Sequence, residues 1–307
     1  MKPGVYLVIF LCLFKWSNAH QINGTFILIL GTTQDGGYPH AGCKKKCCAL
    51  AWQHDSLKKY VVSFALVDAA SKKWWLFEAT PDLKFQLQYF RELTNGIYDY
   101  LPEGIFITHA HIGHYTGLMQ LGREVMNTNE LPVYVLPRMK EYLENNGPWS
   151  QLVNLKNIVV KSLIEDSVFM LAYRVGVKAF KVPHRDEFSE TAGFKISTGN
   201  KEYLFIPDID KWEKWNRNIM DEVKQADVAL LDGTFFENNE LPDRKISEVP
   251  HPLVTETMKL FSNESSEIKS KIFFIHFNHT NPLLWNNELK TELIKQGFGI
   301  AEQGQQF

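Results

Sequence analysis

"FITHAHIGHYTGL", Phe106–Leu118, carries three histidines within six residues, and its reading decides the fold. The apolar "GIF" at its start reads as the end of a buried strand. His109, His111 and His114 therefore fall in the segment that leaves the strand, spaced H-x-H-x-x-H. The same arrangement recurs downstream. His184 follows "AFKVP", Asp208 follows "YLFIP", Asp232 closes "VALL", and His276 follows "KIFFI". Polar groups at strand C-termini emerge at one edge of a sheet, where loops converge. One such histidine is ordinary; five strand-like runs that each end in His or Asp point to a metal site.

Outward from this stretch, β-rich runs and helical patterns mix. "TFILIL" (Thr25–Leu30) reads as a buried strand entering the glycine-rich turn "GTTQDGG". "YVVSFALVD" and "WWLFEAT" form a hairpin signal across "AASKK". "PDLKFQLQYFRELT", "YTGLMQLGREVMN", "RMKEYLENN", a segment around Trp215–Gln225, "HPLVTETMKLFS" and "NNELKTELIKQG" read as helices. "LPVYVL", "NIVVKSLI", "VGVKAFKVPH", "TAGFKIS", "EYLFIPD", "DVALLD" and "KIFFIHF" read as strands. Hairpins combined with strand–helix units predict an α+β protein. Two sheets packed face to face, with helices outside them, make a four-layer αββα sandwich in one domain.

The chain has 307 residues, 45% hydrophobic and 22% charged, with a net charge of −2. That length buries a large core, and that balance supplies no field for a nucleic-acid or membrane partner. "CKKKCC" is only a small charge cluster, so nucleic acid is excluded and a small-molecule substrate expected. The first nineteen residues carry one early lysine, an apolar run from Val5 to Phe14, and Ser17-Asn18-Ala19 before His20. This is a signal-peptide layout. It predicts residues 1–19 as a cleaved leader, 20–307 as the domain, an exported (periplasmic or secreted) product, and no membrane span after cleavage. Cys12 leaves with the leader. Cys43, Cys47 and Cys48 remain, an odd number with a vicinal pair, which argues against a disulfide framework and leaves a metal cluster or one bridge plus a free thiol. With His40 as a fourth donor they suit a Cys₃His structural zinc.

"THAHIGH" resembles the H-x-H-x-D-H signature of the metallo-β-lactamase superfamily, and later elements appear in that superfamily's order. His184 in "KVPHRD" matches the third histidine, Asp208 in "FIPDID" the bridging acid, and His276 in "FFIHFNHTNP" the last histidine. Asp82 in "EATPD" matches an early acidic position that is normally structural. Within the superfamily, "GTTQDGGYPHAGC", "HIGHYTGL", "FIPDIDKW", "DGTFF", "VPHP" and "HFNHTNP" resemble the branch of coenzyme PQQ (pyrroloquinoline quinone) synthesis protein B. Members of that branch carry a cysteine-based structural zinc, usually spaced C-x-C-x-x-C, from which "CKKKCC" departs.

The resemblance implies a metallo-β-lactamase fold and two adjoining metal sites. His109, His111 and His184 form one, and His114, Asp208 and His276 the other, with Asp208 bridging. Gly113 stands where most relatives carry an aspartate. The second site is then either weak or completed by a substitute such as His279 or Asp210. Zinc is expected, one ion or two, with iron or manganese as alternatives in the second site, because two histidines and one carboxylate suit non-haem iron. The implied chemistry is hydrolysis of a phosphodiester or small ester by metal-bound hydroxide. His251 in "EVPHP" is the candidate acid for the leaving group, with Asp208 as the other catalytic residue. Asp186 or Glu187 is placed to orient a ligand histidine. The alternatives are a non-haem metal oxygenase related to PQQ synthesis protein B, and a non-catalytic metal-binding module.

Overall fold

The computed structural model describes residues 24–240 and 249–307. The expected leader at 1–19 lies outside the described residues. Two sheets dominate. The first orders its six strands as they occur in the chain: β1 (Thr25–Gly31), β2 (Ser63–Asp68), β3 (Lys73–Phe77), β4 (Ile105–Phe106), β5 (Leu131–Val135) and β6 (Ile158–Ser162). The β1–β2 and β2–β3 pairs are antiparallel; β3 to β6 are parallel. The second sheet holds β7 (Val168–Ala172), β8 (Val175–Val182), β9 (Thr191–Ser197), β10 (Glu202–Ile206), β11 (Val228–Asp232), β12 (Ile272–Ile275) and β13 (Gly299–Ile300). Strands β10 to β13 are parallel. Because β8 and β10 each run antiparallel to β9, β8 shares their direction. The C-terminal ends of β8, β10, β11 and β12 therefore meet at one edge.

Alternation along the strands sorts side chains into layers. In β1, Ile27 and Ile29 face the second sheet, while Leu28 and Leu30 face outward. The outward layer packs under α2 (Leu83–Leu93), α4 (Pro137–Asn145) and α5 (Trp149–Asn154), through Leu87, Phe90, Met139, Leu143 and Leu152. Between the sheets lies an aromatic herringbone. Phe64, Phe77, Phe106 and Tyr134 stack across adjacent strands at 4.4, 4.7 and 4.7 Å. Phe194 and Phe205, from the opposite sheet, meet that stack edge-on. Outside the second sheet, α6 (Ile219–Gln225), α7 (Val254–Leu260) and α9 (Asn287–Lys295) bury Ile219, Val223, Val254 and Leu293. The expected αββα sandwich is thus observed.

The sequence reading differs from the structure in several places, among them the unread helices Lys46–Gln53 and Trp149–Asn154 and the short strand β13. Instead of one helix from Tyr115 to Asn127 there is a single turn, α3 (Ile112–Tyr115), and then a 3₁₀ segment, Thr116–Leu121. Gly117 is the reason: its N–H donates to Ala79 O at 2.8 Å, and a Cβ there would overlap Thr80 O. The backbone is held against the β3–α2 turn rather than free to wind on. Helix α6 starts at Ile219, where Asn218 caps it by accepting from Met220 N, not at Trp215. Strand β7, unnoticed in "VFMLA", is an exposed edge and lacks a polar–apolar alternation.

Candidate metal centre

The donors expected for the two adjoining sites, and Asp232 beside them, reach the centre from strand ends. His109, His111 and His114 follow β4; His184 follows β8, Asp208 β10, Asp232 β11 and His276 β12. They converge on Asp208. Its Oδ2 lies 3.4 Å from His109 Nε2, 3.9 Å from His111 Nδ1, 3.8 Å from His114 Nε2 and 4.0 Å from His276 Nε2. Its Oδ1 lies 3.2 Å from both His184 Nε2 and His251 Nδ1. The donor atoms of His109, His111, His184 and Asp208 lie within 4.8 Å of one another, as do those of His114, Asp208 and His276. A third such group is Asp208, Asp232 and His251.

Does this arrangement suit a metal? His109 Nε2, His114 Nε2, His276 Nε2 and Asp208 Oδ1 are fully buried and lack hydrogen-bond partners among the described residues. Leaving one buried polar atom unpaired costs about 1–3 kcal/mol. Four in one cluster that face each other are the signature of a cation's donors. The residues fit.

A second ring of groups aims the imidazoles. Thr108 Oγ1 is 2.8 Å from His109 Nδ1, and the fully buried Glu78 puts Oε1 3.5 Å from His114 Nδ1. Thr234 Oγ1 is 2.9 Å from His276 Nδ1. Glu187 Oε2 is 3.2 Å from His111 Nε2, so Glu187 takes the orienting role, while Asp186 accepts from Thr191 Oγ1 instead. Burial above all pushes His109 and His276 well below the usual imidazole range, toward the neutral form that ligates. His114 goes the other way: burial opposes its charge, but Glu78, Asp35 and Asp208 outweigh it and lift it to about 9. Asp208 is buried too, yet His184, His251 and His276 hold it well below the usual carboxylate range. For His251, Asp232 and Asp208 overcome burial and raise it.

Residues 73–277, two thirds of the chain, match the family model described as the beta-lactamase superfamily domain. The chain belongs to the beta-lactamase superfamily. Within it, the chain is 24% identical over 302 residues to coenzyme PQQ synthesis protein B of Methylorubrum extorquens, covering 91% of this chain and 98% of that one. The crystal structure of zinc-bound PqqB from Methylobacterium extorquens superposes with a TM-score of 0.72 at 21% identity, over 92% of this chain and 99% of that one. A diphosphatase of the PhnP family follows at 0.63 and 18%, over 92% and 96%. The donor clusters, together with the zinc bound by that structural neighbour, support a metal cofactor in this superfamily member.

Three expected residues sit elsewhere. His279 does not complete the second set of ligands. Its Nδ1 is 3.5 Å from Cys48 Sγ and 3.6 Å from Cys47 Sγ, and with Cys43 these make a second compact donor group. His279 thereby takes the place expected for His40, whose ring stands outside the group and packs against His279 at 4.4 Å. Burial, helped by His40 and Lys45, lowers His279 to about 4, so it is a neutral donor. Burial, with Cys43 and Cys47 close by, pushes Cys48 up to about 12, a cost that a cation among the thiols would remove. Asp210 is turned away, receiving Lys214 Nζ at 2.8 Å and its neighbour Lys211 N at 3.0 Å. Asp82 is structural, as expected, and accepts from Val61 N at 2.9 Å.

His251 lines a cleft of about 320 Å³ with Gln34, Arg185, Phe235 and Asn278. Three larger clefts, of about 520, 550 and 680 Å³, contain none of the centre's histidines. Sequence reasoning missed Glu78, Thr108 and Thr234, because a buried acid or hydroxyl inside an apolar run carries no local spacing signal.

Proposed function

We propose that this superfamily member is a zinc-dependent hydrolase that cleaves a phosphodiester or another small ester held in the cleft beside His251. One observation carries the reading. His251 has Nδ1 fixed 2.9 Å from Asp232 Oδ2 and lines the cleft that adjoins the histidine cluster. With Nδ1 anchored, Nε2 is the nitrogen left for substrate. His109 Nε2, His111 Nδ1 and His184 Nε2 would hold zinc with Asp208, and His114 and His276 would hold a second ion. Bound there, zinc supplies Lewis acidity and lowers the pKa of a water toward about 7. The protein's own groups do the rest. Arg185 pairs with an anionic ester, and Asp232 holds the His251 ring. His251 passes a proton from Nε2 to the departing oxygen as the ester bond breaks. The likeness to a PhnP-family diphosphatase supports a phosphoryl centre as the point of attack.

The test is turnover of bis(p-nitrophenyl) phosphate, a thioester and a lactone, with metal measured on the same batch. Hydrolysis that chelation abolishes and zinc restores is the expected result. His251→Ala should lower kcat roughly 10²- to 10⁴-fold at unchanged metal content. Metal-loaded protein inert across the panel would overturn the hydrolase, and full turnover by His251→Ala would remove the acid.

A second reading has its own support. His114, Asp208 and His276 form a two-histidine, one-carboxylate set, the composition of non-haem iron oxygenases, and the chain is similar to coenzyme PQQ synthesis protein B along most of its length. Iron-dependent oxygen consumption without ester turnover would favour it. Metal binding with neither activity would leave a non-catalytic module.

A further inference from the structure

We propose that Asp35, in the "GTTQDGG" turn after β1, is the terminal carboxylate of the second metal position, filling the space that Gly113 leaves. This rests on the metal reading above. Asp35 Oδ1 accepts from Gly113 N at 2.9 Å and lies 3.8 Å from His114 Nε2, the same distance as separates that nitrogen from Asp208 Oδ2. His114 Nε2 and His276 Nε2 are the unpaired, fully buried donors on this side of the centre.

Gly113 explains itself by volume rather than by backbone. It is not among the residues at positive φ, so its conformation does not call for glycine. A Cβ built there would overlap Asp35 Oδ1 and fall 2.6 Å from Asp35 Cα. A side chain at 113 and Asp35 in its present place exclude each other. The carboxylate missing from the H-x-H-x-x-H turn has been supplied by a different segment, 78 residues earlier in the chain.

That segment is held firmly enough for the task. Thr33 bridges to Val61 on one side and to Phe277 on the other, and Gln34 N donates to Phe277 O at 2.9 Å. Gly37 N closes the turn on Gln34 O at 2.8 Å, with φ +68°. Asp35 is thus tied to the neighbour of His276 and, through Gly113, to the neighbour of His114. The resulting set is His114, His276, bridging Asp208 and terminal Asp35: two imidazole nitrogens and two carboxylates for a divalent cation such as zinc, manganese or iron.

The experiment counts metal. Stripped protein is titrated with Zn²⁺ or Mn²⁺ by calorimetry, and equivalents are confirmed by elemental analysis. Asp35→Asn keeps an acceptor for Gly113 N but removes the charge. It should lose one equivalent, or bind it more weakly by at least the roughly 10- to 100-fold that loss of an outer-shell partner brings, with thermal unfolding unchanged in the stripped state. Asp35→Gly should do the same, and Asp35→Gly with Gly113→Asp should recover the equivalent by moving the carboxylate to the other segment. Asp35→Asn with wild-type stoichiometry and affinity would overturn the assignment alone. A wild type that takes no metal at its histidines would overturn both this assignment and the reading on which it rests.

Discussion

The hydroxyl of Thr234 shows how a single proton aims a histidine. It donates to Asp232 Oδ1 at 2.7 Å and lies 2.9 Å from His276 Nδ1. A hydroxyl has one proton, so with that proton on Asp232 it accepts from Nδ1–H. The lone pair of His276 is then left on Nε2, the buried atom that faces Asp208. The backbone is committed as well: His276 sits at φ +68°, a region costly for a residue with a Cβ, by about 1–3 kcal/mol. Thr234→Val keeps nearly the same volume and deletes the hydroxyl. Metal affinity should fall roughly 10- to 100-fold with the circular dichroism spectrum unchanged, as read by competition with a chromogenic chelator. Wild-type affinity would show that Thr234 does not set the tautomer. The identity of the histidines was legible in the sequence, because each follows an apolar run. Which nitrogen each presents was not, since that depends on hydroxyls and acids on other strands.

Among elements, strands buried on both faces were readable and loops that meet across the fold were not. Runs such as "TFILIL" and "VALL" are apolar throughout because β1 and β11 lie between layers. His40 was expected beside the cysteines because it is near them in sequence; the structure brings in His279, 231 residues beyond Cys48. Asp35 went unread for the same reason, as no spacing rule links residues 35 and 113. The cysteine group joins the first turn of α1 (Lys46–Gln53) to the loop after β12, with Tyr38 Oη donating to Cys47 O at 2.6 Å and its ring stacked on Trp285. His276 opens the loop after β12, and Asp35 stands in the connection from β1 that leads into α1. A metal among these thiols would therefore clamp both sides of the second position. Cys48→Ser should lose this metal and lower Tm. It should also weaken the second position in the titration described for Asp35. A serine variant with full metal content and unchanged Tm would contradict the clamp.

At the scale of the molecule, the centre straddles two sheets. His109, His111, His114 and Glu78 leave the first sheet, while His184, Asp208, Asp232 and His276 leave the second. Their separation is set by whatever fixes the distance between sheets, which is the herringbone around Phe77. Its ring stacks on Phe64 and Phe106 and takes Phe194 edge-on at 5.3 Å, and Glu78 is the next residue. Phe77→Ala should cost about 3–5 kcal/mol, the transfer of a buried aromatic plus the cavity it leaves, measured by urea unfolding of metal-free protein. Relaxation into that cavity lets the sheets shift, and an error of a few tenths of an ångström across the centre weakens a metal held from both sides. A ligand stabilises a fold by RT ln(1 + [L]/Kd), about 2.7 kcal/mol at a hundred times Kd. The increment that zinc adds to Tm should thus be smaller in Phe77→Ala than in wild type at equal free zinc. Equal increments would mean that the imidazoles are positioned by their own contacts with Glu78, Thr108 and Thr234, and that inter-sheet packing carries the stability without setting the site.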